Sequence, residues 1–187
     1  MRVIAGSRKG HRLMGPDTAG LRPTSDRVKE ALFSILTPRI LDARFLDLYA
    51  GTGAIGIEAL SRVARHVTFV ESSVGARKVL NKNLEHCGFA AAGSVHVGTA
   101  ERFLKGKGAD ASYDIVFADP PYDRQDGGHE LLARLEASGM IGAETVVVLE
   151  HATKAPVPAE VGRLERVRQY RYGDTTLSLF QIGEEVA

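Results

Sequence analysis

Residues 45–56 read FLDLYAGTGAIG, an apolar strand that runs into a glycine-rich turn and then into a helix. Glycine has no side chain, so Gly51 and Gly53 let the backbone of such a turn come close to a ligand. In an open α/β sheet, ligands bind in the crevice outside the carboxyl ends of the strands, which is where this turn stands. A turn can also need glycine for its own geometry, but glycines directly after an apolar strand favour a nucleotide site.

The chain after residue 44 alternates short apolar strands with amphipathic helices. This alternation is typical of a parallel sheet that is covered by helices on both faces. Two further extended runs, residues 164–172 and 175–182, flank Gly173-Asp174 and predict a closing antiparallel hairpin. The predicted strands are residues 44–48, 66–71, 94–97, 113–118 and 145–150, and the predicted helices begin after Gly53, after Ser73, near Ala100 and after Gly127.

The front of the chain differs from the rest in pattern and in charge. Residues 1–24 are rich in Gly and Arg and predict a small basic β-hairpin extension, and residues 25–40 predict a linking helix. Thr24 or Ser25 would cap this helix, which is expected to end before Pro38. Residues 1–44 carry nine Lys or Arg against four Asp or Glu, which suits a phosphate backbone or simply a solvated basic face.

The composition excludes several classes of protein. The length of 187 residues suits one domain, so residues 41–187 are expected to form a single α/β unit. No apolar run is long enough to cross a membrane or to form the core of a signal peptide, so we expect a cytoplasmic protein. The single Cys87 rules out an internal disulfide, and the six histidines lack metal-site spacing, so no metal is predicted.

A second motif, Asp119-Pro120-Pro121-Tyr122, follows the fourth predicted strand and should lie at the same sheet edge as the glycine turn. The amine of a base ring is a poor nucleophile, because its lone pair is delocalised into the ring. The Asp119 carboxylate and the Pro120 carbonyl can accept hydrogen bonds from the N–H groups of this amine. Tyr122 offers a ring on which an extruded base can stack. The motif therefore predicts methylation of a base amine, although a rigid Pro-Pro turn would look the same in isolation.

The identity of the nucleotide stays open on the glycine spacing alone. Gly51, Gly53 and Gly56 also fit the dinucleotide fingerprint, and Glu71 lies where an acid would bind a ribose, so an NAD-dependent oxidoreductase is an alternative. An oxidoreductase would give no role to the motif Asp119-Pro-Pro-Tyr.

A non-catalytic RNA-binding module is a further alternative, which would keep the basic front and would tolerate loss of Asp119.

The turn resembles motif I of the class I methyltransferases, because Asp47 stands at the strand end and the loop reads Ala-Gly-Thr-Gly. The resemblance implies S-adenosylmethionine (SAM) as cofactor, S-adenosylhomocysteine (SAH) as product, and a Rossmann-like seven-stranded sheet with its last strand antiparallel. It also implies that Glu71 binds the ribose. At the usual adenine contact this chain departs from the family, since Thr99 replaces an acid or an amide. The implied cofactor residues are Asp47, Tyr49, Ala50, Gly51, Thr52, Gly53, Glu71, Ser72, Thr99 and Ala100.

The whole chain is similar to the bacterial small-subunit ribosomal RNA guanine-N2 methyltransferase family (RsmD). The resemblance rests on the Arg- and Gly-rich front, RPTSDRVKEALF at residues 22–33, LDLYAGTG at 46–53, DPPY at 119–122 and YGDT at 172–175. It implies methylation of one guanine of 16S rRNA in an assembled or partly assembled small subunit, by a protein that we expect to be monomeric. A DNA adenine-N6 methyltransferase with the same second motif remains an alternative.

Basic residues at the front are the predicted RNA contacts, although a solvated role is open for each of them. A second basic group at residues 163–171 lies on the predicted closing hairpin, where charge also discourages unwanted strand pairing. The residues predicted to contact RNA are Arg8, Lys9, Arg12, Arg22, Thr24 and Arg27.

Overall fold

The computed structural model describes residues 1–15, 26–106, 112–121 and 128–183. Helices and strands alternate along most of the chain. The helices are α1 (Asp26–Ile40), α2 (Ala54–Ser61), α3 (Val74–His86), α4 (Ala100–Lys105) and α5 (His129–Ala137). The strands are β1 (Arg44–Leu48), β2 (His66–Glu71), β3 (Gly93–Val97), β4 (Ile115–Ala118), β5 (Val146–Ala152), β6 (Glu160–Val161), β7 (Leu164–Tyr172) and β8 (Thr175–Ile182).

The eight strands of the described residues form one sheet in the order β3-β2-β1-β4-β5-β8-β7-β6. The strands β1 to β5 pair in parallel, and β8 runs antiparallel between β5 and β7. The predicted fold class is therefore confirmed, together with the antiparallel last strand. The sheet has one strand more than the predicted seven, because the two residues of β6 pair with the start of β7. Two residues are too few to show a periodicity in the sequence.

Each face of the sheet carries its own apolar cluster. Phe45, Phe69 and Phe117 pack on one face with side chains of α1, α2 and α3. Leu46 and Val116, which alternate with them along the strands, pack on the other face with α4 and α5. Because both faces are covered, the strands β1, β2, β4 and β5 are buried over most of their length and do not alternate between buried and exposed residues, as is typical of parallel sheets.

The linking helix α1 ends at Ile40, the last residue of the segment predicted to link the extension to the sheet. It continues through Pro38 to Ile40, so the expectation that it ends before Pro38 was wrong. Proline removes one backbone donor, and the carbonyl left without it belongs to the exposed Ser34, where water can bind it. Leu36 and Ile40 are both buried, and their packing holds the last turn of the helix against the core. The predicted cap, Thr24 or Ser25, lies outside the described residues.

The described part of the N-terminal extension is a chain reversal closed by one antiparallel bridge between Arg2 and Arg12, and not a two-stranded ladder. The Val3 N–H donates to the His11 carbonyl at 2.9 Å, and the Leu13 N–H donates to the Met1 carbonyl at 3.0 Å. Val3 and Leu13 are buried in the cluster beside α1, α2 and α3. This short segment therefore contributes to the main core. No helix in the described ranges is long and apolar enough to cross a membrane.

Candidate active site

The glycine-rich turn after β1 is tightly wound. Tyr49, Gly51 and Gly53 all have positive φ angles, of 66°, 55° and 85°. The Ala50 N–H donates to the Val70 carbonyl of β2 at 3.0 Å, and the Gly53 N–H donates back to Ala50 at 2.8 Å. Helix α2 begins at the next residue. The turn therefore lies at the carboxyl edge of the sheet, as the sequence predicts.

The three glycines of the motif have different surroundings. A Cβ atom on Gly53 would overlap the side chain of Leu80, and one on Gly56 would overlap the ring of Phe69. A Cβ on Gly51 would meet no atom within 4 Å. Packing inside the protein therefore requires Gly53 and Gly56, whereas Gly51 borders open space that a ligand could fill.

Glu71 stands at the end of β2 and faces this turn. Its Oε2 accepts a hydrogen bond from the Gly51 N–H at 2.7 Å, and its Oε1 accepts one from the Ser73 N–H at 2.6 Å. A carboxylate oxygen can accept more than one hydrogen bond, so both oxygens retain capacity for hydroxyl groups. Glu71 is therefore fixed beside the open space at Gly51, which fits the predicted ribose contact.

The turn after β3 completes this side of the cleft. The Gly98 N–H donates to the Glu71 carbonyl at 3.3 Å, which ties the turn to the end of β2. Thr99 is exposed and caps α4, because its Oγ1 accepts from the Arg102 N–H at 3.3 Å. Ala100 is buried and Ser72 is exposed. The contacts predicted for these residues with the cofactor stay predictions.

Asp47 lies beneath the turn, with 1% of its surface exposed. Its Oδ2 accepts a hydrogen bond from the Gly56 N–H at 3.0 Å, which fixes the start of α2. Burial raises the pKa of Asp47 to about 8, and although the Gly56 hydrogen bond opposes this rise, the nearby charges of Asp119 and Glu71 add to it. Asp47 thus supports the turn from inside.

Asp119 follows β4 directly, and β4 pairs with β1 so that Ala118 lies opposite Leu48. The turn of the glycine motif and Asp119 therefore leave the sheet side by side. Burial raises the pKa of Asp119 to about 6, and its charge acts on Asp47. Pro120 is buried and Pro121 is exposed. The predicted stacking residue Tyr122 lies outside the described residues.

Two buried polar residues at this site were missed by the sequence analysis. Glu150 lies within β5 directly after its apolar run, with 3% of its surface exposed, and because Leu149 pairs with Ala118 it lies beside the position where Asp119 follows β4. An acid directly after an apolar run of residues is a signal in the sequence that points to it. Asn83 of α3 is fully buried and its side-chain amide donates to the Thr52 carbonyl at 2.9 Å. No feature of the sequence distinguishes Asn83 from other helical asparagines.

The predicted RNA contacts fall into three groups. The Arg8 Nε donates to the Cys87 carbonyl at 2.6 Å and its guanidinium lies 5.5 Å from the Phe89 ring centre, so part of this side chain is used inside the protein. Lys9, Arg12 and Arg27 are exposed, whereas Arg22 and Thr24 lie outside the described residues.

Comparison with known proteins gives concordant results. A family model described as "Conserved hypothetical protein 95" matches residues 1–181. "Ribosomal RNA small subunit methyltransferase D" of Escherichia coli (strain K12) is 37% identical over 183 residues, which cover 97% of this chain and 89% of that protein. The protein YlbH of Bacillus subtilis (strain 168) is 35% identical over 182 residues, covering 97% of this chain and 98% of that protein.

A solved structure agrees with these matches. The structure of yhhF from Escherichia coli is 37% identical, superposes with a TM-score of 0.86, and covers 98% of both chains. The correspondence thus extends over the N-terminal segment as well as over the sheet. Sequence and structure both show that this chain belongs to the RsmD family of ribosomal RNA methyltransferases, as its motifs predict.

Proposed function

We propose that this protein transfers a methyl group from SAM to the exocyclic N2 amine of a guanine in 16S rRNA of the small ribosomal subunit. The observation that carries the proposal is the position of Asp119 beside the open turn at Gly51, on the paired strands β1 and β4. An acceptor for a base amine and a space for a methyl donor then share one sheet edge.

The cofactor would lie along the turns that follow β1, β2 and β3. The open side of Gly51 admits a ligand, and the Glu71 carboxylate beside it suits the hydroxyl groups of a ribose. Thr99 and Ala100 would face the adenine end. The sulfonium of SAM supplies a methyl group that is already activated, so no nucleophilic side chain is required.

Asp119 and Pro120 would hold and orient the amine. If the carboxylate and the backbone carbonyl accept hydrogen bonds from the two N–H groups of the amine, the nitrogen lone pair is turned towards the methyl group. With a pKa of about 6, Asp119 is mainly ionised at neutral pH, yet it is more basic than an aspartate in water. It is therefore also suited to take the proton that the amine loses after transfer. Tyr122 would stack on the base.

The exposed Lys9, Arg12 and Arg27 would contact the RNA phosphates, together with Arg22 and Thr24. Such contacts contribute affinity without reading sequence, so selection of one guanine requires the shape of the RNA at the site. We propose that the protein acts as a cytoplasmic monomer on assembled or partly assembled small subunits.

The test is transfer of a labelled methyl group from SAM to small subunits from a strain that lacks this gene, followed by digestion to nucleosides. We expect label in N2-methylguanosine, lost by at least a hundredfold in Asp119→Ala, as is usual for loss of a group that acts on the transition state. Glu85→Ala, which removes an exposed acid on α3, is the control and should retain activity. The rate should also rise with pH through about 6 as Asp119 ionises.

Each other outcome would overturn a stated part of the proposal. Label in another nucleoside would refute the choice of guanine, and label in DNA adenine would favour the alternative methyltransferase. No label on subunits, naked rRNA or DNA would refute the activity. Full activity of Asp119→Ala would refute the role of Asp119.

A further inference from the structure

The side-chain amide of Asn83 joins two segments that are far apart in the sequence. Its Oδ1 accepts a hydrogen bond from the Met14 N–H at 2.9 Å. Its Nδ2 donates to the Met14 carbonyl at 3.1 Å and to the Thr52 carbonyl at 2.9 Å. Asn83 is fully buried and its bond to Thr52 is shielded from water, whereas its two bonds to Met14 are only partly shielded, because Met14 is exposed. One planar group thus connects the N-terminal segment to the turn proposed to hold the cofactor.

Each of the two connected segments is proposed to bind one of the two substrates of the reaction. Thr52 lies between Gly51 and Gly53 in the glycine turn, and Met14 lies two residues after Arg12, an exposed residue proposed to contact RNA. The amide is rigid, and its oxygen and nitrogen are both in use. A shift of the backbone at Met14 must therefore either move the Thr52 carbonyl or leave a buried polar group without a partner, which is costly.

The N-terminal segment is also attached to the helix that follows the glycine turn. Glu58 of α2 accepts hydrogen bonds from the Ile4 and Ala5 N–H groups at 2.7 and 2.9 Å. Ser61 of α2 donates to the Ala5 carbonyl at 2.6 Å and accepts from the Arg8 N–H at 3.0 Å. These bonds hold residues 4–8 in place, so that a change at Met14 reaches the turn through Asn83 and is not absorbed upstream.

We propose that Asn83 is a positioning residue that couples RNA binding by the N-terminal segment to cofactor binding at the glycine turn. The proposal rests on the function proposed above. The coupling is reciprocal, because two ligands that stabilise the same arrangement of Met14, Asn83 and Thr52 must each tighten the binding of the other. Loss of the amide would uncouple the two ligands without removing a group that contacts either of them.

The test measures the affinity for SAH by calorimetry, with and without small subunits from a strain lacking this gene. SAH is used because it binds without turnover. For the unaltered protein we expect subunits to tighten SAH at least about fivefold, the lower end of usual coupling. In Asn83→Asp, which replaces a donor by an acceptor facing two carbonyls, this ratio should fall to about one. The control is Asn81→Asp, an exposed position on the same helix, which should keep the full ratio.

A second variant approaches the link from its other end. Met14→Pro removes the backbone donor to Asn83 Oδ1 and leaves α3 unaltered, so it remains informative if Asn83→Asp fails to fold. It should also lower the ratio. An unchanged ratio in the folded variants, or a ratio of one in the unaltered protein, would overturn the coupling even if methyl transfer is intact. Absence of any SAH binding by the unaltered protein would instead overturn the proposed function.

Discussion

Asp47 is expected to make the protein less stable as the pH rises. Its carboxyl group is 1% exposed, and burial raises its pKa from the ordinary value of 3.8 to about 8. The folded protein therefore retains a proton on Asp47 at pH values where the unfolded chain has lost it. The stability that comes from this raised pKa is fully present below pH 3.8 and is lost as the pH rises through about 8.

The magnitude follows from proton linkage. Between the two pKa values each pH unit removes about 1.4 kcal/mol of the free energy of unfolding, and the slope flattens near the folded value. Between pH 6 and pH 8 the expected loss from Asp47 is about 2 kcal/mol. Asp47→Asn provides the reference, because an amide does not ionise and its oxygen can still accept the Gly56 N–H.

Urea unfolding of both proteins at pH 6, 7 and 8 measures this difference. Other groups titrate in the same range, so the quantity of interest is the stability of the unaltered protein relative to Asp47→Asn at each pH. That relative stability should fall by about 2 kcal/mol from pH 6 to pH 8. Parallel curves for the two proteins, or a relative gain with rising pH, would refute the inference that Asp47 is protonated in the folded state.

Three glycine substitutions separate the effects of packing from those of ligand binding. Gly51 has φ +55°, and a Cβ atom there would meet no neighbour, so Gly51→Ala should lower the free energy of unfolding by only about 1 kcal/mol. Because the added methyl group would enter the proposed ligand space, the affinity for SAH, measured by calorimetry, should fall at least about tenfold. Unchanged affinity would contradict a ligand at this position. Gly6→Ala has φ +82° and a Cβ that would overlap the Ser61 carbonyl, so urea unfolding should show a loss above about 3 kcal/mol. Gly10→Ala, with φ +87° and no neighbour within 4 Å, should lose about 1 kcal/mol, and equal losses at the two positions would contradict the packing argument.

Four strands, including the largely exposed β7, could be predicted with the bounds that the structure shows. The bounds of residues 44–48, 66–71, 164–172 and 175–182 agree with the structure, since each run is bordered by turn residues. Helix α2 begins after Gly53, as predicted. Local composition decides these features, so a single sequence contains the information.

Long-range polar contacts could not be predicted in this way. Lys29 and Glu58 look like solvated helix residues, yet they are almost completely buried and lie 3.4 Å apart between Nζ and Oε2. Asn83 is equally ordinary within its helix, but its partners lie 69 and 31 residues away in the sequence. Such residues are recognised only when the packing that removes them from water is known.

The buried ion pair of Lys29 and Glu58 also shows how the N-terminal segment is attached to the rest of the chain. Glu58 is fully buried, and a buried carboxylate is tolerated only when several donors surround it. Two of its donors are the N–H groups of Ile4 and Ala5, and two more are the side chains of Arg62 and Lys29. Burial lowers the pKa of Lys29, and the attraction of Glu58 partly opposes this change. Glu58 depends on backbone that the sequence assigns to an appended hairpin. The first residues are therefore fixed to α2, the helix that directly follows the glycine turn, and belong to the structure that supports this turn.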